Sequence, residues 1–259
     1  DISEKNIEYS KLISSGQLTT TQYFNEKGLN GTGQIITIVD SGLDVNSPYF
    51  IDSTKSSFSY DRVDHTNRKV VYYQTYGNNQ DSLDMHGTYL AGIVSGYVDN
   101  NKDADKFNLY QGVAPGSKLA IVDIVEHKDD SSQILSYSSI LLGDAMGRVD
   151  SKIALSGWGT SKNVEMSYYY DSLAETNPER LLIFPAGNGG GPSMKITTPG
   201  DGKNVLTVGA LDSLWTSKYE TNRVYQLVTK SNQVFTLKRL IYGVDLFYLI
   251  KQNYIIENV

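Results

Sequence analysis

Gln34-Ile35-Ile36-Thr37-Ile38-Val39-Asp40 is a run of apolar, largely β-branched residues that closes on a carboxylate. A short continuous run of this kind predicts a strand buried on both faces, as in a parallel sheet. Similar runs recur downstream at Lys69–Gln74, Leu119–Val125, Lys152–Leu155, Leu181–Pro185 and Val205–Gly209. Between them, His86–Tyr97, Ser131–Val149 and Ser167–Asn177 read as helices. This alternation, continuing as far as Ala210, predicts an α/β fold with a parallel sheet and helices on both faces. Gly28, Gly31 and Gly33 superficially suggest a dinucleotide loop. They precede the strand, whereas a phosphate-binding glycine loop follows a strand and opens a helix, so that reading is rejected.

Composition narrows the chemistry. The 259 residues contain no cysteine, which excludes a disulfide scaffold, a thiolate nucleophile and a Cys-ligated metal. Only His65, His86 and His127 are available for imidazole chemistry. The formal net charge of −6 argues against nucleic acid as the main partner. The most apolar stretch, Leu240 to Ile250, contains Asp245 and is too short and too polar for a membrane span. No basic stretch followed by an apolar one marks the beginning, and the chain is expected to begin and end inside a longer protein.

Functional residues of an open parallel sheet gather at the carboxyl ends of its strands, where Asp40 is expected. Alone, a carboxylate there fits a phosphoacceptor, a metal ligand or, more often, simply a helix cap. His86 opens a helix with Gly87, Ala91 and Gly92, small residues that let it approach another backbone closely. His65 and His127 lie in charged surroundings that fit solvated surface positions. Asn188 follows an apolar strand among Gly187, Gly189, Gly190 and Gly191. Its amide suits donation to an oxyanion, and the same dipeptide also suits an ordinary turn.

Six motifs in one order are more specific than any of these alone. They are Ile38-Val39-Asp40-Ser41-Gly42-Leu43-Asp44, His86-Gly87-Thr88-Tyr89-Leu90-Ala91-Gly92, Gly112-Val113-Ala114-Pro115-Gly116, Ser156-Gly157-Trp158-Gly159, Pro185-Ala186-Gly187-Asn188, and Thr198-Pro199-Gly200 leading to Asn204-Val205-Leu206-Thr207-Val208-Gly209-Ala210. The order resembles the subtilisin-like serine peptidases, or subtilases, over about Gly31 to Ala210. The resemblance implies their three-layer α/β fold, here incomplete at the C-terminus. It implies that Asp40 orients His86, that His86 is the general base, and that Asn188 belongs to the oxyanion hole. Ser156, Gly157, Trp158 and Gly159 match the strand that pairs with the substrate backbone. Tyr89 stands where the family usually has a second, non-catalytic histidine.

The nucleophile motif, Gly-Thr-Ser followed by small residues and a proline, is missing downstream of Val205–Gly209. Gly159-Thr160-Ser161 lies upstream of Asn188, lacks those residues, and reads as a loop. The expectation is therefore a subtilase fragment, inactive by itself, whose parent hydrolyses polypeptides. The alternative is a catalytically dead relative that binds peptides or partners. A metal-dependent hydrolase built on Asp40, Asp44 and His86 would need further ligands that no cluster supplies. No cofactor is expected for the chemistry. Many relatives bind structural calcium, whose ligands the sequence does not place. The expected organisation is an arm over 1–30, a partial catalytic domain over 31–218 and a divergent segment over 219–259, a candidate start of an insertion domain. The resemblance further implies a secreted or membrane-enclosed compartment.

Overall fold

The computed structural model describes residues 25, 27–76, 79, 81, 85–99, 111–128, 131–134, 138–187, 196–209, 225–229 and 233–237. The chain divides into two compact units, Asp1–Gly157 and Trp158–Val259.

In the first unit, strands β1 (Ile35–Asp40), β2 (Val70–Gln74), β3 (Lys118–Asp123) and β6 (Ile153–Ser156) form a parallel sheet. Their order is β2-β3-β1-β6. Asp40 is in register with Asp123 of β3, and Val39 with Ser156 of β6. Three strands thus end side by side on one edge. Thr37, Ile38 and Val39 are fully buried, as a central parallel strand requires.

Helix α1 (His86–Ser95) packs against β1 and β3, and its Ala91, Leu90 and Val94 join Ile36, Ile38, Leu119 and Ile121 in one core cluster. The alternate residues Val39, Ala120 and Val122 are buried on the other face, where α2 (Ser138–Val149) packs against β1, β2 and β3. The sheet is therefore covered on both faces. Each buried Ile or Leu of these layers contributes about 1.5–3 kcal/mol.

Helix α2 begins later than expected. Ser131–Ile134 is strand β5, paired antiparallel with β4 (Val125–Lys128). A helix from Ser131 would have to bury Ile134 and Ile140 together, but six residues turn a helix by about 240° and put them on different faces. Ile140 is in fact exposed, while Leu141, Leu142, Ala145, Met146 and Val149 are buried. Strand β3 also stops two residues early. The Asp123 carboxylate accepts the Val125 N–H at 3.1 Å, and the Ile124 N–H turns to the Asp40 carbonyl at 3.1 Å.

The turn Gly112–Gly116 closes the far end of α1. Gly112, Val113 and Ala114 N–H groups donate to the carbonyls of Gly96, Ile93 and Val94, satisfying helix-end acceptors that otherwise lack partners. Lys69, buried at the start of β2, donates to Ser95 Oγ and to the carbonyls of Pro115 and Ser117. Burial pushes its ammonium down to about 7.

The second unit contains α3 (Val164–Thr176), β7 (Leu181–Pro185), β8 (Leu206–Val208) and the antiparallel pair β9 (Tyr225–Thr229) and β10 (Gln233–Leu237). Strands β7 and β8 pair in parallel. Helix α3 starts three residues before the expected Ser167 because Asn163 caps it, its side chain accepting the Met166 N–H at 3.0 Å. Nearly all of the expected arm lies outside the described residues.

Candidate active site

Asp40 closes β1 with its side chain 4 % exposed. The chain then turns through Ser41-Gly42, and α1 enters from another loop with His86 as its first residue. His86 Nδ1–H donates to Asp40 Oδ1 at 2.7 Å, and the imidazole is 52 % exposed. The Nδ1 side of the ring is thus engaged with a buried carboxylate. Asp40 also accepts the Ser41 N–H on Oδ1 at 2.9 Å and the Gly157 N–H on Oδ2 at 3.2 Å. Those bonds fix the carboxylate plane, and with it the ring.

The start of α1 has an unusual cap. Met85 is left-handed, with φ 53°, and supplies no side-chain acceptor. Asp81 and Ser41 replace it. Asp81 Oδ2 accepts the Thr88 N–H at 2.8 Å and Ser41 Oγ accepts the Gly87 N–H at 2.9 Å. The Ser41 hydroxyl in turn donates to Asp81 Oδ1 at 2.7 Å. Thr88 Oγ1 accepts the Asp44 N–H at 2.9 Å, closing the loop after Asp40 onto the same helix turn. The helix needs glycine at 87, because a Cβ there would collide with the carbonyl oxygen of Gly42. The close approach expected from the small residues is found here.

Ser156 ends β6 and is buried. The adjacent Gly157 lies close to the pair, since a Cβ on it would stand 2.8 Å from His86 Cε1 and 2.9 Å from Asp40 Oδ2. In the second unit, Trp158 packs edge-on against Tyr170 and Phe184, with centroids 6.3 Å and 6.2 Å away. Gly159 is exposed, and Thr160 forms an antiparallel bridge with Thr198. Gly187 adopts φ 97°, a conformation that favours glycine, while Asn188 lies outside the described residues. Ser161 is exposed, as is His65, and the His127 side chain lies outside the described residues. Asp44 holds a loop backbone amide, Asn46 N–H, at 3.0 Å. Among the described residues no group of three or more His, Asp or Glu side chains is arranged to hold a metal ion. Nor does any described helix have the length and apolarity to cross a membrane.

Two residues escaped the sequence reading. Asp81 has no motif signal beyond its place in the loop before His86. Asp123 had one: Ile121-Val122-Asp123 repeats Ile38-Val39-Asp40. Asp123 is fully buried next to Asp40, and burial pushes its carboxyl up to about 7.

A family model described as the subtilase family matches residues 31–242. The serine protease/ABC transporter B family protein tagB of Dictyostelium discoideum is 30% identical over 233 residues, covering 80% of this chain and 12% of that protein. A thermophilic serine proteinase of Bacillus sp. (strain AK1) is 23% identical over 198 residues, covering 76% of this chain and 43% of its own. The chain therefore spans a small part of the Dictyostelium relative and less than half of the bacterial one. Among solved structures, the S41 psychrophilic protease superposes with a TM-score of 0.51 at 21% identity, over 77% of this chain and 59% of that one. Sphericase superposes with a TM-score of 0.50 at 20% identity, over the same shares. These structures support the three-layer α/β fold, and the family model settles the lineage: this chain belongs to the subtilase family.

Proposed function

We propose that the chain carries the Asp–His part of a Ser-His-Asp centre, and that the protein containing it hydrolyses peptide bonds through an acyl-enzyme. The 2.7 Å bond between His86 Nδ1 and the buried Asp40 carboxylate is the observation that carries this reading. Asp40 holds the imidazole in one tautomer and stabilises the imidazolium; His86 takes the proton of a serine hydroxyl and returns it to the leaving amine. Asn188 donates to the oxyanion, and the backbone of Ser156, Gly157, Trp158 and Gly159 pairs with the extended substrate. The substrate is a polypeptide.

The nucleophilic serine lies outside these 259 residues on this reading, because no Gly-Thr-Ser with the small residues and proline follows Val205–Gly209. The small share of the Dictyostelium relative that the chain covers supports a peptidase segment within a larger protein. A fluorophosphonate probe tests this. It is expected to leave the purified 259-residue chain unlabelled and to label a longer form that includes a downstream serine motif. Labelling of the short chain at Ser161 overturns the missing nucleophile. A longer form that stays unlabelled yet retains an extended peptide is the catalytically dead relative instead.

A further inference from the structure

We propose that Asp123, the in-register neighbour of Asp40 on β3, is a positioning residue that sets the charge beside the Asp40–His86 pair and so the pH at which His86 serves as a base. The proposal rests on the reading of that pair as the peptidase's orienting acid and base.

In-register residues on adjacent parallel strands project to the same face, so the two carboxyls lie side by side under the start of α1. Asp123 is fully buried. One oxygen accepts the Val125 N–H, and Oδ2 is buried with no hydrogen-bond partner among the described residues. A charge on that oxygen has no donor among the described residues to satisfy it, whereas a proton removes the charge. Among the described residues, the ionisable groups facing it are Asp40 on β1, Asp81 in the loop before α1, and Tyr73 on β2. None is a cation. Two of them, Asp40 and Asp81, add to desolvation in pushing the carboxyl up to about 7, and Tyr73 is pushed up in turn by burial and then by Asp123.

The consequence concerns His86 through Asp40. With Asp123 neutral, the ring faces the charge of Asp40. With Asp123 ionised, a second negative charge lies one strand away and favours the imidazolium. Protonation of Asp123 and protonation of His86 are thereby linked, and His86 is one member of a coupled set.

Histidine side-chain NMR on the full 259-residue chain reads this directly, with only three imidazoles to assign. In the parent chain the His86 titration is expected to be broadened by the coupling. In Asp123→Asn it should sharpen and its midpoint should fall by about half a pH unit or more. An unchanged midpoint and line shape in a folded variant overturns the proposal. Should the variant fail to fold, the carbon-13 titration of the Asp123 carboxyl in the parent chain decides instead. A midpoint near 7 supports the proposal, and one in the ordinary carboxylate range near 4 overturns it. Neither readout needs the nucleophile, so failure here is distinguishable from failure of the fluorophosphonate test.

Discussion

Gly157 stands so close to His86 that a methyl group on its Cα would lie 2.8 Å from the ring's Cε1. The same methyl would lie 2.9 Å from Asp40 Oδ2, which accepts the Gly157 N–H. The residue after β6 is therefore a wall of the Asp–His pair as well as part of the expected substrate strand. Gly157→Ala must displace the ring, the carboxylate or the strand. In a form containing the serine, a fall of about 10²-fold in kcat is expected, the size of effect produced by a small misplacement of reacting groups. The His86 Nδ1 proton resonance should shift in the short chain. An alanine variant with wild-type kcat and an unmoved resonance would show that the ring does not depend on this wall.

Asp81 holds the first turn of α1 from outside it. Asp81→Ala removes the acceptor of the Thr88 N–H and of the Ser41 hydroxyl. A loss of about 1 kcal/mol is expected, as for a lost helix cap. Amide exchange at Gly87 and Thr88 should accelerate more than elsewhere in the helix, and Asp81→Asn should restore part of the protection. Uniform exchange across the variant would contradict a local capping role.

Gly87→Ala tests the contact between the two motif segments. The added methyl meets the Gly42 carbonyl, which belongs to the loop after Asp40. Overpacking of this kind costs about 1–3 kcal/mol. Urea unfolding should show that loss, and the Asp40–His86 bond should lengthen as α1 is pushed from the loop. A variant as stable as the parent would mean that the loop yields freely.

Lys69 gives a pH dependence with a definite sign. Its folded-state value near 7 lies below the ordinary 10.5. Below about 7 the amine is charged in both states, and the folded state carries the full cost of burying that charge. Between about 7 and 10.5 the folded state sheds the proton while the unfolded state keeps it, so this group makes stability rise with pH. Lys69→Met is expected to remove that rise, on the order of a few kcal/mol across the window. Chemical denaturation at pH 7 and at pH 10, parent against variant, measures it, and an unaltered difference refutes the assignment.

The strands β1, β3, β6 and β7 were legible because buried parallel strands are written as unbroken apolar runs. The Asp-Ser-Gly and His-Gly-Thr segments were legible because their glycines answer steric needs, as Gly87 against Gly42 shows. Helix boundaries were less so. Apolar residues on both sides of the true start of α2, Ile134 and Ile140, extend its apparent pattern into β5, and α3 starts at the polar cap Asn163 where no apolar period marks it.

The sequence by itself determined the lineage, the α/β alternation, and the residue types able to do acid–base work, because these depend on composition and local order. Only the tertiary structure decided that Asp40 and His86 meet, that Asp81 and Ser41 cap the helix bearing His86, and that Asp123 lies beside Asp40. Those relations join residues 40 to 83 positions apart in the chain, apart from the local bond of Asp81 to Thr88. Strand register and burial bring them together, and neither is expressed in any one segment.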